Sequence, residues 1–226
     1  MKKSLLLLTV IALLASCNNA NTQKKEQVMN EEEALENVIS ILTTEELKSK
    51  SFDELFKPID AAEISESVFK LVGSDFTVIT SGTEADYNSM IASWGGMGIL
   101  FNKPATWCFL RANRYTLEYI RKEQTYTLAY FDEPYKDKIM IFGTKSGRNT
   151  DKMKEHELTA VQTPQGSIAY KEAKLIIECK ITQLTTVSPK DFYTQEGKDF
   201  ITEAYKEAKD YHKLLLGEIT GVWEKK

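Results

Sequence analysis

A chain of 226 residues with 42% hydrophobic and 27% charged side chains is long enough for one sizeable core and too ordinary in composition for a low-complexity protein. Its 29 basic residues are outweighed by 33 acidic ones and form no stripe, which argues against a nucleic-acid partner. Three cysteines and two histidines without CxxC or Cys/His spacing offer no metal site.

Met1, Lys2 and Lys3 start the chain with positive charge. Leu5–Leu14 is an apolar run too short to span a bilayer, and Leu14-Ala15-Ser16-Cys17 closes it with small residues. Residues 1–16 therefore read as an export signal. The closing tetrapeptide resembles the lipobox of bacterial lipoproteins, which implies that Cys17 becomes an acylated first residue and that the protein is exported and anchored to a membrane by lipid. Residues 17–29 are polar and aperiodic, as a tether should be. Asn30 can cap a helix whose first turn is Glu31–Glu33 and whose stripe is Leu35, Val38, Ile39 and Leu42, and a second helix runs through Leu47. Residues 30–51 thus form an N-terminal helical extension to a domain spanning 52–226.

From Phe52 onward, short β-rich runs alternate with Gly, Asn, Asp and Pro punctuation. Strands are expected at Phe76–Thr80, Ser89–Trp94, Thr106–Leu110, Thr125–Tyr130, Lys138–Phe142, Ala173–Ile181 and Gly217–Trp223, and helices at Ser65–Val72, Arg114–Lys122, Thr150–Leu158 and Lys198–Leu214. Strands outnumber crossover helices, so the fold class is mainly β with helices (α+β), an antiparallel barrel. Cys108 and Cys179 sit in apolar strand runs and read as buried small hydrophobes, although an exported protein's compartment also permits them to pair.

The chemistry concentrates between Asn88 and Thr116. Period-two alternation puts Asn88, Met90, Ala92 and Trp94 on one face and Ser89, Ile91 and Ser93 on the other. Gly95, Gly96 and Gly98 then remove side chains where the chain bends or something approaches its backbone. Arg111 leads to Asn113, which can cap a helix beginning Arg114-Tyr115-Thr116, and a cation beside free helix N–H groups suits a phosphate or carboxylate. A second segment, Lys145-Ser146-Gly147-Arg148 with Lys152, repeats the theme of hydroxyl, glycine and cations before a helix. Which of the two holds an anion stays open. His156, in KEHEL, reads as a solvated surface residue. No Ser/His/Asp order or phosphate P-loop occurs.

Three blocks carry a family resemblance: NSMIASWGGMGILFNKPATWCFLRANRYTLEYI (88–120), GTKSGRNTDK (143–152) and DYHKLLLGEI (210–219). In order and approximate spacing they resemble the flavin reductase-like, FMN-binding split-barrel proteins that include the flavoredoxins. The resemblance implies a Greek-key split β-barrel, a homodimer, and FMN as a non-covalent cofactor that passes electrons. It implies that Asn88, Ser89, Met90, Ala92, Ser93 and Trp94 run along the flavin ring. It also implies that Arg111, Asn113, Arg114, Tyr115 and Thr116 match an RPSRYT-like block, with Ala112 in the place of a proline. Ser146, Gly147, Arg148 and Lys152 match an SGRDxDK-like block, with Asn149 in the place of an aspartate. His212 stands where family members often carry a histidine on the donor side of the flavin. The alternative reading is a lipoprotein module that binds FMN or another planar ligand without catalysis. The electron donor and acceptor are not written in these blocks.

Overall fold

The computed structural model describes residues 45–205 and 210–226. The export signal and tether expected over residues 1–29, and the helix expected from Asn30 to Leu42, lie outside the described residues. The chain divides into two units, 1–49 and 50–226. In the first, residues 45–49 are helical.

In the second, α1 (Phe52–Leu55) leads into β1 (Phe56–Pro58), and α2 (Val68–Gly73) precedes β2 (Thr77–Thr83), β3 (Asp86–Ala92), β4 (Gly95–Leu100) and β5 (Lys103–Arg111). Next come α3 (Thr116–Glu123) and β6 (Thr125–Tyr130), then the short helices α4 (Lys136–Ile139), α5 (Ile141–Thr144) and α6 (Lys152–Glu155). The hairpin of β7 (Ala160–Gln162) and β8 (Ile168–Tyr170) precedes β9 (Leu175–Thr186), α7 (Gln195–Ala204) and β10 (His212–Lys225).

All pairings are antiparallel, in the order β3-β2-β6-β9-β10-β5-β4, with β1 added to the far end of β10. β3 and β4 are the two ends of that path, yet only Ser93 and Trp94 separate them in sequence. The sheet must therefore curl until its edges meet, which makes a barrel split at this seam. The Phe109 N–H donates to the Trp94 carbonyl at 3.0 Å and holds the seam to β5.

Ile79, Met90, Leu110, Tyr126, Leu128, Ile177 and Leu215 fill the barrel. β6 is buried on both faces: Tyr126 and Leu128 point into the core, while Thr127 donates to the Ile168 carbonyl at 2.6 Å under the β7–β8 hairpin. α3 adds Leu117 and Ile120 to the core at i,i+3 spacing and stops at Gln124, whose φ of 61° is left-handed. Cys108 and Cys179 are free and buried. Burial pushes the Cys179 thiol up to about 12 and the Cys108 thiol higher, so both act as small hydrophobes.

Three expectations change. Lys138–Phe142 is helical rather than a strand, because Ile139 and Phe142, three apart, are the buried pair while Met140 is exposed. The helix expected over Lys198–Leu214 is Gln195–Ala204, and His212 to Leu214 instead open β10, paired with Arg111 to Phe109. The glycines at 95 and 96 do not bend the chain away. They begin β4, where an added Cβ would lie 2.2 Å from the Trp107 carbonyl oxygen at Gly95 and 2.6 Å from the Trp107 ring at Gly96. Their role is to let one strand lie close over a tryptophan.

Candidate functional site

Two turns distant in sequence meet beside β3. The turn between β5 and α3 supplies Asn113 to Thr116, the turn between α5 and α6 supplies Lys145 to Lys152, and β3 supplies Asn88 and Met90. Together they enclose a cleft of about 300 Å³. Asn88, only 2% exposed, donates from Nδ2 to the Thr116 Oγ1 at 2.6 Å and ties β3 to the start of α3. Gly147 packs against the same asparagine. A Cβ there would sit 2.3 Å from Asn88 Oδ1 and 3.0 Å from the Tyr115 ring, so no larger residue fits without moving the wall.

Arg114, Lys145, Arg148 and Lys152 all line this cleft, and no carboxylate does. Two of these cations are engaged outward: Arg148 pairs with Glu118 and lies over the Tyr115 ring at 4.8 Å, and Lys145 pairs with Glu155. Arg114 and Lys152 have no carboxylate partner among the described residues. Lys152 is 3% exposed, and its ammonium donates to the carbonyls of Lys145 at 2.9 Å and Phe142 at 3.3 Å. Burial, followed by repulsion from the Arg114 guanidinium, lowers its pKa to about 8. Two unpaired cations crowded into one small cleft are electrostatically unfavourable until an anion arrives. The Ser146 hydroxyl adds a donor, whereas in the first turn of α3 the N–H groups of Leu117 and Glu118 are taken by the Arg114 and Tyr115 carbonyls. Asn113 is exposed and does not cap that helix; Tyr115 holds the cap position.

The remaining expected residues go elsewhere. Ser89 is fully buried between Thr80 and Tyr170, at 2.7 and 2.6 Å, and Ala92 belongs to the core. Ser93 and Trp94 form the seam. Trp94 is 46% exposed and packs on His212, ring centroids 4.9 Å apart, and on Phe200. Arg111 does not line the cleft. Its guanidinium meets Asp210 at 3.4 Å, donates to the Ala204 carbonyl at 3.2 Å and lies over the Tyr205 ring. His212 shares a hydrogen bond with the Tyr205 hydroxyl through Nδ1, and burial first, with Arg111 next, holds its pKa below the ordinary histidine value. Tyr205 and His212 border an apolar recess of about 370 Å³ around Trp94, Phe109 and Phe200. His156 is half-buried, not solvated: it packs between Phe142 and Tyr170, and Nδ1 accepts from the Leu158 N–H.

Sequence reasoning passed over the Tyr119 ring, which follows Tyr115 by one helical turn and borders the neighbouring recess rather than the cleft.

The split barrel agrees with comparison to known proteins. The family described as "Flavin reductase like domain" matches residues 69–226. The chain belongs to this family. Among solved structures, this flavin reductase-like chain is similar to an FMN-binding protein from Thermus thermophilus. Identity is 18% over 74% of this chain and 80% of that one, with a TM-score of 0.52. It is similar to an FMN-binding domain of a flavin reductases-like enzyme from Shewanella baltica, at 14% identity over 75% and 76% of the two chains and a TM-score of 0.53. Flavoredoxin of Desulfovibrio vulgaris matches at 19% identity over 73% and 75%, with a TM-score of 0.50. At these identities the likeness is one of fold. No curated protein sequence matches the chain.

Proposed function

We propose that this flavin reductase-like protein binds FMN non-covalently and passes electrons through it. The observation that carries the reading is the pair Arg114 and Lys152, two cations without carboxylate partners facing one small cleft. The dianionic phosphate of FMN supplies the missing charge, and the residues present fit it. Lys152 and Arg114 offer charge-assisted donors, Ser146 and Thr116 line the cleft with hydroxyls, and Gly147 keeps the wall thin. Met90 adds an apolar wall, and β3 continues to Trp94, whose exposed indole can shield a planar ring from water. When bound, FMN supplies a ring system that accepts and returns electrons. The chain holds the phosphate, orients the ring and limits solvent access. His212, beside Trp94, would meet the donor in this reading.

The leader and Cys17 support export and lipid anchoring, and the family supports a homodimer. Outside the cytoplasm a nicotinamide donor is not expected, so electrons would come from a membrane-bound or soluble redox partner. The test uses the full chain in detergent, supplemented with FMN and titrated with dithionite, NADH and NADPH while the visible spectrum is recorded. Bound flavin bleached by dithionite but not by nicotinamides supports the external-donor reading. Retained flavin that no donor but dithionite reduces and no acceptor reoxidises indicates a binding module instead. A colourless protein that takes up no FMN overturns the proposal.

A further inference from the structure

The cationic cleft is not closed at its Asn88 end. Asn88, Tyr115, Gly147 and Arg148 are a common wall, and on their other side lies a wider recess of about 570 Å³. That recess has a different chemistry. Tyr87, Tyr115 and Tyr119 border it, the last two rings meeting edge to face with centroids 5.2 Å apart, and the Tyr119 hydroxyl donates to Asp86 at 2.8 Å. Its volume exceeds what a phosphate needs and falls in the range of small-ligand sites.

β3 sets the order of these features. Asp86 and Tyr87 border the tyrosine recess, Asn88 and Met90 border the cationic cleft, and the strand then leads to Trp94 at the seam. An anion cleft is thus flanked by an aromatic recess on one side and by the Met90-to-Trp94 run on the other. A mononucleotide flavin has one aromatic end and uses one flank. A dinucleotide flavin has an aromatic end on each side of its pyrophosphate and uses both.

We propose that the tyrosine recess takes the adenosine end of FAD, so that this chain binds FAD more tightly than FMN. The inference rests on the flavin reading of the cationic cleft. Tyrosine faces suit a purine by stacking. Asp86 and Asp151, both bordering the recess, provide acceptors for ribose hydroxyls or the purine amine. Arg148 lies on the shared wall, exposed, paired with Glu118 at the surface and resting on the Tyr115 ring; turning from that ring to a second phosphate would free the tyrosine face.

The test is equilibrium titration of the full chain with FMN and with FAD, read by flavin fluorescence, with adenosine as a competitor that carries no phosphate. FAD should bind about tenfold more tightly, the effect of one stacked base. Millimolar adenosine should weaken FAD binding and leave FMN binding unchanged. In Tyr119→Ala the FAD advantage should shrink to about twofold or less, while unchanged FMN affinity reports an intact fold. Equal affinity for the two flavins, together with no effect of adenosine, overturns this inference and leaves the flavin reading standing. These two measurements need no variant. Failure to bind either flavin overturns the flavin reading itself.

Discussion

Replacing Lys152 with methionine separates what the cleft does from what the fold needs. The side chain is 3% exposed, and its pKa falls from the ordinary 10.5 to about 8, chiefly through burial and then through Arg114. At about 1.4 kcal/mol per pH unit, the fold disfavours this cation by about 3 kcal/mol at neutral pH. Methionine keeps the apolar length and loses the hydrogen bonds to the Phe142 and Lys145 carbonyls, roughly 1 kcal/mol each. The variant should therefore remain within about 1 kcal/mol of the parent in urea denaturation at pH 7. Its flavin affinity should drop by about 2 to 3 kcal/mol, or 30- to 150-fold, because a charge-assisted contact to phosphate is gone. The pH dependence gives a second readout. Parent affinity should decline above pH 8, by up to about tenfold per unit, as Lys152 loses its proton, and the variant should show no such break. For the unliganded parent the sign is the reverse. Between about 8 and 10.5 the unfolded lysine still holds a proton that the folded one has lost, so stability rises with pH across that window. Unchanged flavin affinity would refute the reasoning. So would a loss of affinity accompanied by several kcal/mol of destabilisation at pH 7, which would mark Lys152 as a structural residue.

Gly147→Ala puts a methyl against Asn88 Oδ1 and the Tyr115 ring, so it should destabilise by about 1 to 3 kcal/mol in thermal or urea unfolding and weaken flavin binding as the wall shifts. Arg111→Ala should leave flavin affinity within about twofold of the parent, because its guanidinium serves Asp210 and the Ala204 carbonyl; a loss of about 1.5 kcal/mol or more would return Arg111 to the phosphate site. Burial works to raise the Asp75 pKa, but hydrogen bonds from Lys70 and Lys174 outweigh it and hold the carboxyl below its ordinary 3.8. Its contribution to stability is therefore complete above that value and is lost as pH falls below it. Acid unfolding of Lys174→Met should begin at higher pH than in the parent, and coincident acid transitions would count against this network.

Local pattern was enough for much of the fold. TYTLAY announced a strand by its β-branched and aromatic residues, and the cysteines behaved as the hydrophobes their runs suggested. Composition of the two turn segments was enough to bring Arg114, Ser146, Gly147 and Lys152 under suspicion, since hydroxyls, glycine and cations gathered before a helix suit an anion. Other features depended on partners far along the chain. KIMIF has no period of its own at that length, and its helical form follows from Phe142 packing on Tyr170. Arg111 was assigned by Asp210, and the glycine pair by Trp107. The seam at Ser93 and Trp94 exists only because the strand order brings the first and last strands of the path together. The cleft itself, and the tyrosine recess behind its wall, are products of two distant turns folding onto one strand. A sequence shows which residues carry charge, but only the closed barrel decides which charges find partners and which remain to hold a ligand.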